Sequence, residues 1–193
     1  MEIRRGIPVS PGVAIGPALV LDTEGVRITH RTVAPDHVPD EIARLRRALD
    51  DTAAVAGVKE RVIAEMVAAL HAAGYFRDAD LEDIVRAVIR REQLGTTGIG
   101  KNIAIPHSRH AAVDRLIGTL ALSKDGLPFD SLDGEPVYVF VLLVSPQDRP
   151  GDHLRALEAV VRTMRNEEFV RQLRACTTRE EIWALLEAAS GGW

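Results

Sequence analysis

The sequence predicts a layered α/β fold: a mixed β-sheet flanked by helices, preceded by a short irregular N-terminal appendage. Three observations lead there. Helical and strand-like hydrophobic periods alternate from about residue 50 onward. The run Val137–Val144 is almost wholly apolar, which suits a strand in a sheet interior. Residues 7–21, by contrast, are broken by Pro8, Pro11, Gly12, Gly16 and Pro17.

With 193 residues the chain can fill one core and leave an appendage, and 46% hydrophobic against 27% charged residues describe a globular protein rather than a disordered one. A net charge of -4, with basic residues scattered among acids, argues against nucleic acid as the main partner. Cys176 is the only cysteine, so a disulfide framework and a cysteine-based zinc site are both excluded. No segment approaches the roughly 20 apolar residues of a membrane helix, and the start carries no signal-peptide run, so a cytoplasmic location is expected.

The elements follow in order. Ala18–Leu21 is a short strand that could pair with an extended stretch over Arg27–Val33, and Pro39–Asp40 opens a helix with Ile42, Leu45 and Leu49 on one face. Val62, Ile63, Met66, Val67 and Leu70 form the apolar stripe of the next helix, which Gly74 can end in a left-handed cap. Asp80 is the expected cap of a further helix with Leu81, Ile84, Val85, Val88 and Ile89 inward. Residues 94–100, with three glycines, read as a loop. Strands are expected at Ile103–Ile105, Leu116–Ser123 and Val137–Val144, with Lys124–Glu135 a connection. Asp152 can cap a helix carrying Leu154, Leu157, Val160, Val161 and Met164. Asn166 can cap another, and Thr178 with Glu181 forms a capping-box pattern ahead of Ile182.

His107 is the residue best placed for chemistry. A group that accepts and passes on a phosphoryl must be neutral near pH 7 and form a labile bond, and imidazole does both. Pro106 biases Ile105 toward extended geometry, so the strand is expected to stop with His107 at its rim. Arg91, whose planar fork suits phosphate oxygens, and His153, a possible donor, are candidates to stabilise the added charge. Thr96, Thr97 and Gly98 could aim hydroxyls or backbone N–H groups at an oxyanion. Arg109 could add positive potential for an anionic partner. By spacing alone, helix-dipole pairing is the preferred account of Arg91, and a solvated surface position that of Arg109.

The run Arg91–His107 (REQLGTTGIGKNIAIPH) resembles the active-site segment of the mannitol/fructose-type Enzyme IIA proteins of the sugar phosphotransferase system and of their nitrogen-regulatory relatives. The likeness continues through Leu132-Asp133-Gly134-Glu135-Pro136-Val137, Val139–Val144 and Gly151-Asp152-His153-Leu154, so it covers residues 50–189 and leaves 190–193 as a tail. The resemblance implies that His107 takes a phosphoryl group from phospho-HPr and passes it to a cysteine of an Enzyme IIB. The tele nitrogen is the candidate, although sequence does not decide it. Arg91 and His153 match the family's phosphate-stabilising residues. The resemblance further implies catalysis by positioning and charge stabilisation, no organic cofactor, and indirect association with a membrane sugar permease for a fructose-like or mannitol-like sugar. The regulatory alternative is that phosphorylation of His107 controls protein partners without sugar transport.

Residues 6–18 resemble the extreme N-terminus of Enzyme I, and Pro39–Leu49 the start of its first helix. The Enzyme I phosphohistidine motif is absent, so residues 1–48 are expected to be a non-catalytic, poorly packed appendage. A metal site built on His107, His110 and His153 lacks carboxylate or cysteine ligands at a recognisable spacing. A hydrolase pair of Ser108 and His107, with Asp114, fails because adjacent strand residues face opposite ways. Cys176, His30, His37 and His71 are read as structural or incidental.

Overall fold

The computed structural model describes residues 8–10, 13–15, 19–21 and 54–190, with side chains from 57 to 189. The strands are β1 (Pro8–Ser10), β2 (Val13–Ile15), β3 (Leu19–Leu21), β4 (Gly98–Gly100), β5 (Ile103–Ala104), β6 (His107–His110), β7 (Leu116–Leu127) and β8 (Val137–Pro146). The helices are α1 (Ala54–Ala72), α2 (Leu81–Gln93), α3 (Pro150–Met164), α4 (Glu167–Ala175) and α5 (Arg179–Ser190), with one 3-10 turn at Asp78–Asp80. The sheet order is β1-β2-β7-β8-β5-β4, with β3 also on β7 and β6 also on β8. It is mixed as expected: β7 and β8 are antiparallel, whereas β5 and β6 run parallel to β8 and β2 and β3 parallel to β7.

From Val139 to Val144 the period of two in β8 assigns the two faces. Phe140, Leu142 and Val144 join Ile63, Met66, Leu70, Ile84 and Val88 in one core beneath α1 and α2. Val139, Val141 and Leu143 join Val160, Met164, Phe169, Leu173 and Ile182 beneath α3 to α5. The apolar stripe expected of α1 is buried throughout, and Gly74 takes the expected left-handed conformation at φ 78°.

Several local expectations are corrected. The strand does not stop at His107: it breaks at Ile105–Pro106 and resumes as β6, because Pro106 lacks an N–H while its carbonyl still accepts from Leu143 N at 3.0 Å. The glycine loop contains β4, which pairs with β5 through a tight turn at Lys101 (φ 53°) and Asn102 (φ 66°). β7 runs to Leu127, past a register break after Leu122, into the segment expected as a connection. Asp80 occupies the cap position of α2, but its carboxylate is held by Arg77 and caps nothing. Helix α3 starts at Pro150, which suits the first helical turn, so Asp152 lies inside it and pairs with Arg155. Leu154 is exposed rather than inward. Asn166 does cap α4 by accepting from Phe169 N at 3.1 Å, and Thr178 and Glu181 form the expected reciprocal box.

In the first segment, the strand expected at Ala18–Leu21 appears at Leu19–Leu21, and its partner is β7. β2 joins the same edge and β1 pairs with β2, so this segment adds strands to the domain's sheet. The stretch Arg27–Val33, the helix from Pro39 with Ile42, Leu45 and Leu49, and His30 and His37 lie outside the described residues.

Gly118 lies close against β8, where an added Cβ would lie 2.8 Å from Leu142 O and 2.9 Å from Leu143 Cδ2. Because one of these atoms is backbone, the strands themselves would have to move. Gly118→Ala is expected to lower stability by about 2 kcal/mol, measured by urea unfolding.

Candidate functional site

The site lies where β6, the C-terminal turn of α2 and the first turn of α3 meet. In register, His107 sits beside Leu143 and Arg109 beside Ser145, which puts both on the sheet face that α3 covers. Ser108 pairs with Val144 on the other face, and its hydroxyl donates to Arg109 O. No Ser108–His107 pair forms, and Asp114 instead lies 3.9 Å from Arg115.

His107 is held at both ring nitrogens. Nδ1 lies 2.7 Å from Ile105 O, and because a carbonyl only accepts, Nδ1 carries the proton. Nε2 is therefore the lone pair, and it accepts from Arg91 Nε at 3.2 Å. The backbone thus fixes which ring nitrogen of His107 keeps its lone pair. Burial is the main force lowering the His107 pKa. The Ile105 carbonyl opposes it, the Arg91 charge adds to it, and the Glu92 carboxylate works against it. The Nε2 lone pair lies beside a guanidinium, and an imidazole so arranged can act as a nucleophile.

His153, from the first turn of α3, stacks at a tilt on His107 with ring centroids 5.4 Å apart. Its Nδ1 lies 2.7 Å from Ser145 Oγ. Burial first, then the His107, Arg109 and Arg91 charges, lowers its pKa to about 4. Arg91, His107 and His153, separated by as many as 62 positions in the chain, therefore converge as expected. Arg91 is further tied by Nη1 to Gly95 O at 2.9 Å. Arg109 is exposed, donates to Gln147 O, and is close enough to His153 to act on its proton.

Thr96, Thr97 and Gly98 do something other than the expected anion cradle. Thr96 Oγ1 donates to Phe129 O and accepts from Gly98 N, while Thr97 N and Oγ1 both donate to Glu92 Oε2, at 2.9 and 2.5 Å. Both threonine hydroxyls and the Thr97 and Gly98 amides are thus spent on Phe129, Glu92 and Thr96, and these bonds shape the loop. The organiser is Glu92, 5% exposed, whose other oxygen accepts from Lys59 Nζ of α1 at 2.9 Å. Lys59 also pairs with Asp130 at 2.9 Å. Sequence reasoning missed Glu92, Lys59 and Ser145. A signal existed for Glu92, which extends the inward stripe Ile84, Val88 by one more step of four.

His71, bonded to Asp78 and resting on Phe76, and Cys176, whose thiol is pushed up mainly by burial, are structural. Among the described residues no group of three His, Cys, Asp or Glu side chains could hold a metal, and no helix is long and apolar enough to cross a membrane. The large hydrophobic side chains exposed among the described residues are Leu94, Ile99, Leu132 and Leu154, and they lie on the segments that carry the site. Leu94 follows α2, Leu132 N bonds Gly98 O, and Leu154 follows His153.

The sequence model of the family described as phosphoenolpyruvate-dependent sugar phosphotransferase system, EIIA 2, matches residues 51–189. A nitrogen regulatory protein of Bradyrhizobium diazoefficiens is 33% identical over 103 residues, 53% of this chain and 67% of that protein. A fructose-specific EIIABC component of the same system in Bacillus subtilis is 35% identical over 124 residues, 64% of this chain but only 19% of that longer protein. The crystal structure of nitrogen regulatory protein IIA-Ntr from Neisseria meningitidis matches with a TM-score of 0.62 at 24% identity, covering 91% of this chain and 97% of that one, and so shares the fold.

Two predictions follow from the geometry. His153 is neutral in the folded state down to a pKa of about 4, against 6.5 for an unperturbed ring, so its contribution to stability is full above pH 6.5 and is lost as pH falls toward 4. Proton NMR should show its ring titrating near pH 4, and His153→Asn should flatten unfolding stability across that window. Glu92→Ala strands Lys59 with Asp130 alone and frees the Thr97 donors, and should cost about 3 kcal/mol in thermal or urea unfolding.

Proposed function

From the chain's place in the EIIA 2 family of the phosphoenolpyruvate-dependent sugar phosphotransferase system, to which it belongs, we propose that it is a phosphoryl carrier that receives its phosphoryl group on His107 Nε2. The observation that carries this reading is the pair of bonds on the His107 ring: Ile105 O takes the Nδ1 proton, and Arg91 Nε meets the Nε2 lone pair.

In the acceptance step the Nε2 lone pair forms a bond to phosphorus as the bond from phosphorus to the donor's histidine breaks, and the donor's electron pair leaves with its own ring. The charge gained by the His107 ring is shared with Nδ1–H, whose bond to Ile105 O becomes charge-assisted. Arg91 moves from the lone pair to the phosphoryl oxygens, which carry most of the negative charge. Onward transfer reverses the step, with a thiolate as the incoming nucleophile. No proton has to be taken up or released by His107 in either direction. The donor is phospho-HPr and the acceptor a cysteine of an Enzyme IIB, with the exposed Leu94, Ile99, Leu132 and Leu154 as the apolar ground on which such partners rest.

The sugar-uptake reading, for a fructose-like or mannitol-like sugar, is supported by the Bacillus relative's fructose specificity. A second reading is regulatory: the phosphorylation state of His107 controls protein partners without sugar transport. The Bradyrhizobium relative and the Neisseria structure, both nitrogen regulatory proteins, favour it.

Incubated with radiolabelled phosphoenolpyruvate, Enzyme I and HPr, the wild-type chain should take up one acid-labile phosphoryl group. His107→Ala should take up none, and Arg91→Ala should be slower by about 100-fold. Label on His107→Ala, or none on wild type, refutes the reading. Passing the labelled protein to a panel of IIB domains separates transport from regulation, because transfer followed by sugar phosphorylation requires the former.

A further inference from the structure

Ser145 ends the apolar run of β8 at a position that is 0% exposed, and its Oγ lies 2.7 Å from His153 Nδ1. A hydroxyl has one proton to donate and two lone pairs with which to accept, and an imidazole nitrogen can take either role. The surroundings decide between them. Were the ring to donate from Nδ1, the buried Ser145 proton would need another acceptor, and among the described residues Ser145 Oγ has no hydrogen-bond partner besides this ring. Leaving a buried donor unpaired costs more than leaving a hydroxyl lone pair unused. The hydroxyl therefore donates, Nδ1 accepts, and the neutral His153 ring carries its own proton on Nε2.

This is the opposite tautomer to that of His107. There, the carbonyl of Ile105 requires a proton on Nδ1 and leaves Nε2 bare. The two rings, 5.4 Å apart, are thus set in complementary states by two different fixed groups of the sheet. One offers a lone pair for phosphorus, and the other an N–H for the oxygens that arrive with it. With the wrong tautomer, His153 would turn a lone pair toward an anionic oxygen. Burial and the neighbouring positive groups keep His153 neutral, so it is the tautomer and ring orientation that must be held in place.

We propose that Ser145 is a positioning residue for phosphoryl transfer: its hydroxyl holds His153 as the Nε2–H tautomer so that the ring donates a hydrogen bond to a phosphoryl oxygen on His107. This rests on His107 being the phosphoryl acceptor. Ser145 forms no bond to phosphorus, and no proton changes place.

The test joins nitrogen-15 NMR of the histidine rings, which needs no phosphoryl donor, to the rate of labelling by phospho-HPr, all on the full chain. Wild type should show a protonated Nε2 and a hydrogen-bonded, unprotonated Nδ1 on His153. Ser145→Ala, smaller and therefore tolerated at a buried site, should move the Nδ1 resonance to that of an unbonded nitrogen and slow labelling about fivefold. Ser145→Thr, which keeps the hydroxyl, should restore both. In a His153→Ala background, Ser145→Ala should add nothing further to the rate, as required if it acts through that ring.

A protonated Nδ1 on wild-type His153 overturns the proposal. So does an unchanged rate in Ser145→Ala, or an equal loss with and without His153. A wild-type chain that shows the inferred tautomer but never takes label overturns the phosphoryl reading itself, and the role of Ser145 in transfer with it.

Discussion

The break in the strand at Ile105–Pro106 is the constraint from which the site is built. A proline has no N–H to give to a ladder, and it forces the residue before it into an extended conformation. Here the chain nonetheless stays beside β8, because Pro106 still accepts from Leu143 N and β6 resumes pairing at once. The Ile105 carbonyl accepts from the His107 ring two residues later. A backbone carbonyl cannot titrate or change rotamer. Through this bond the main chain dictates which nitrogen is bare, and every polar group in the site takes its role relative to that nitrogen.

Around this point the two cores of the domain contribute different services. The α3 face supplies His153 directly, from a helix whose first turn lies over the end of β8. The α1–α2 face supplies Arg91, and it does so through a buried charge. Glu92 sits at the bottom of the α2 stripe, in line with Ile84 and Val88, and it gathers Thr97 and Lys59. A buried carboxylate is costly unless every lone pair is used. In this setting the cost enforces order, since Arg91 is the neighbour of the one residue in the helix end that cannot shift without losing its partners.

Much of this was legible in the sequence, and the parts that were not share a cause. The stripes of α1 and α2, the buried run of β8 and the caps at Asn166 and Thr178 depend on neighbours within about four residues, which periodicity records. Arg91, His107 and His153 were legible through an ordered motif and not through their spacing. The network of Lys59, Glu92 and Asp130 joins residues 33 and 71 positions apart, and no local pattern announces such a meeting. Ser145 lies one residue past the strand expected at Val137–Val144, and no local pattern marks it. Its importance comes from the register that sets it beside Arg109 and under His153. The errors over Asp80 and Asp152 were of the opposite kind: good capping residues in suitable places, diverted by Arg77 and Arg155.

The strands β2 and β3 have a consequence for solubility. β7 is twelve residues long and pairs with β8 along one side; its other side, left bare, would be a row of unpaired amides and carbonyls, the usual template for a second chain. Two three-residue strands cover it at Leu116–Gly118 and Ala121–Ser123. A segment with no visible chemistry can thus serve as an edge guard, and its removal would be felt first as self-association of the domain, with the paired histidines still in place.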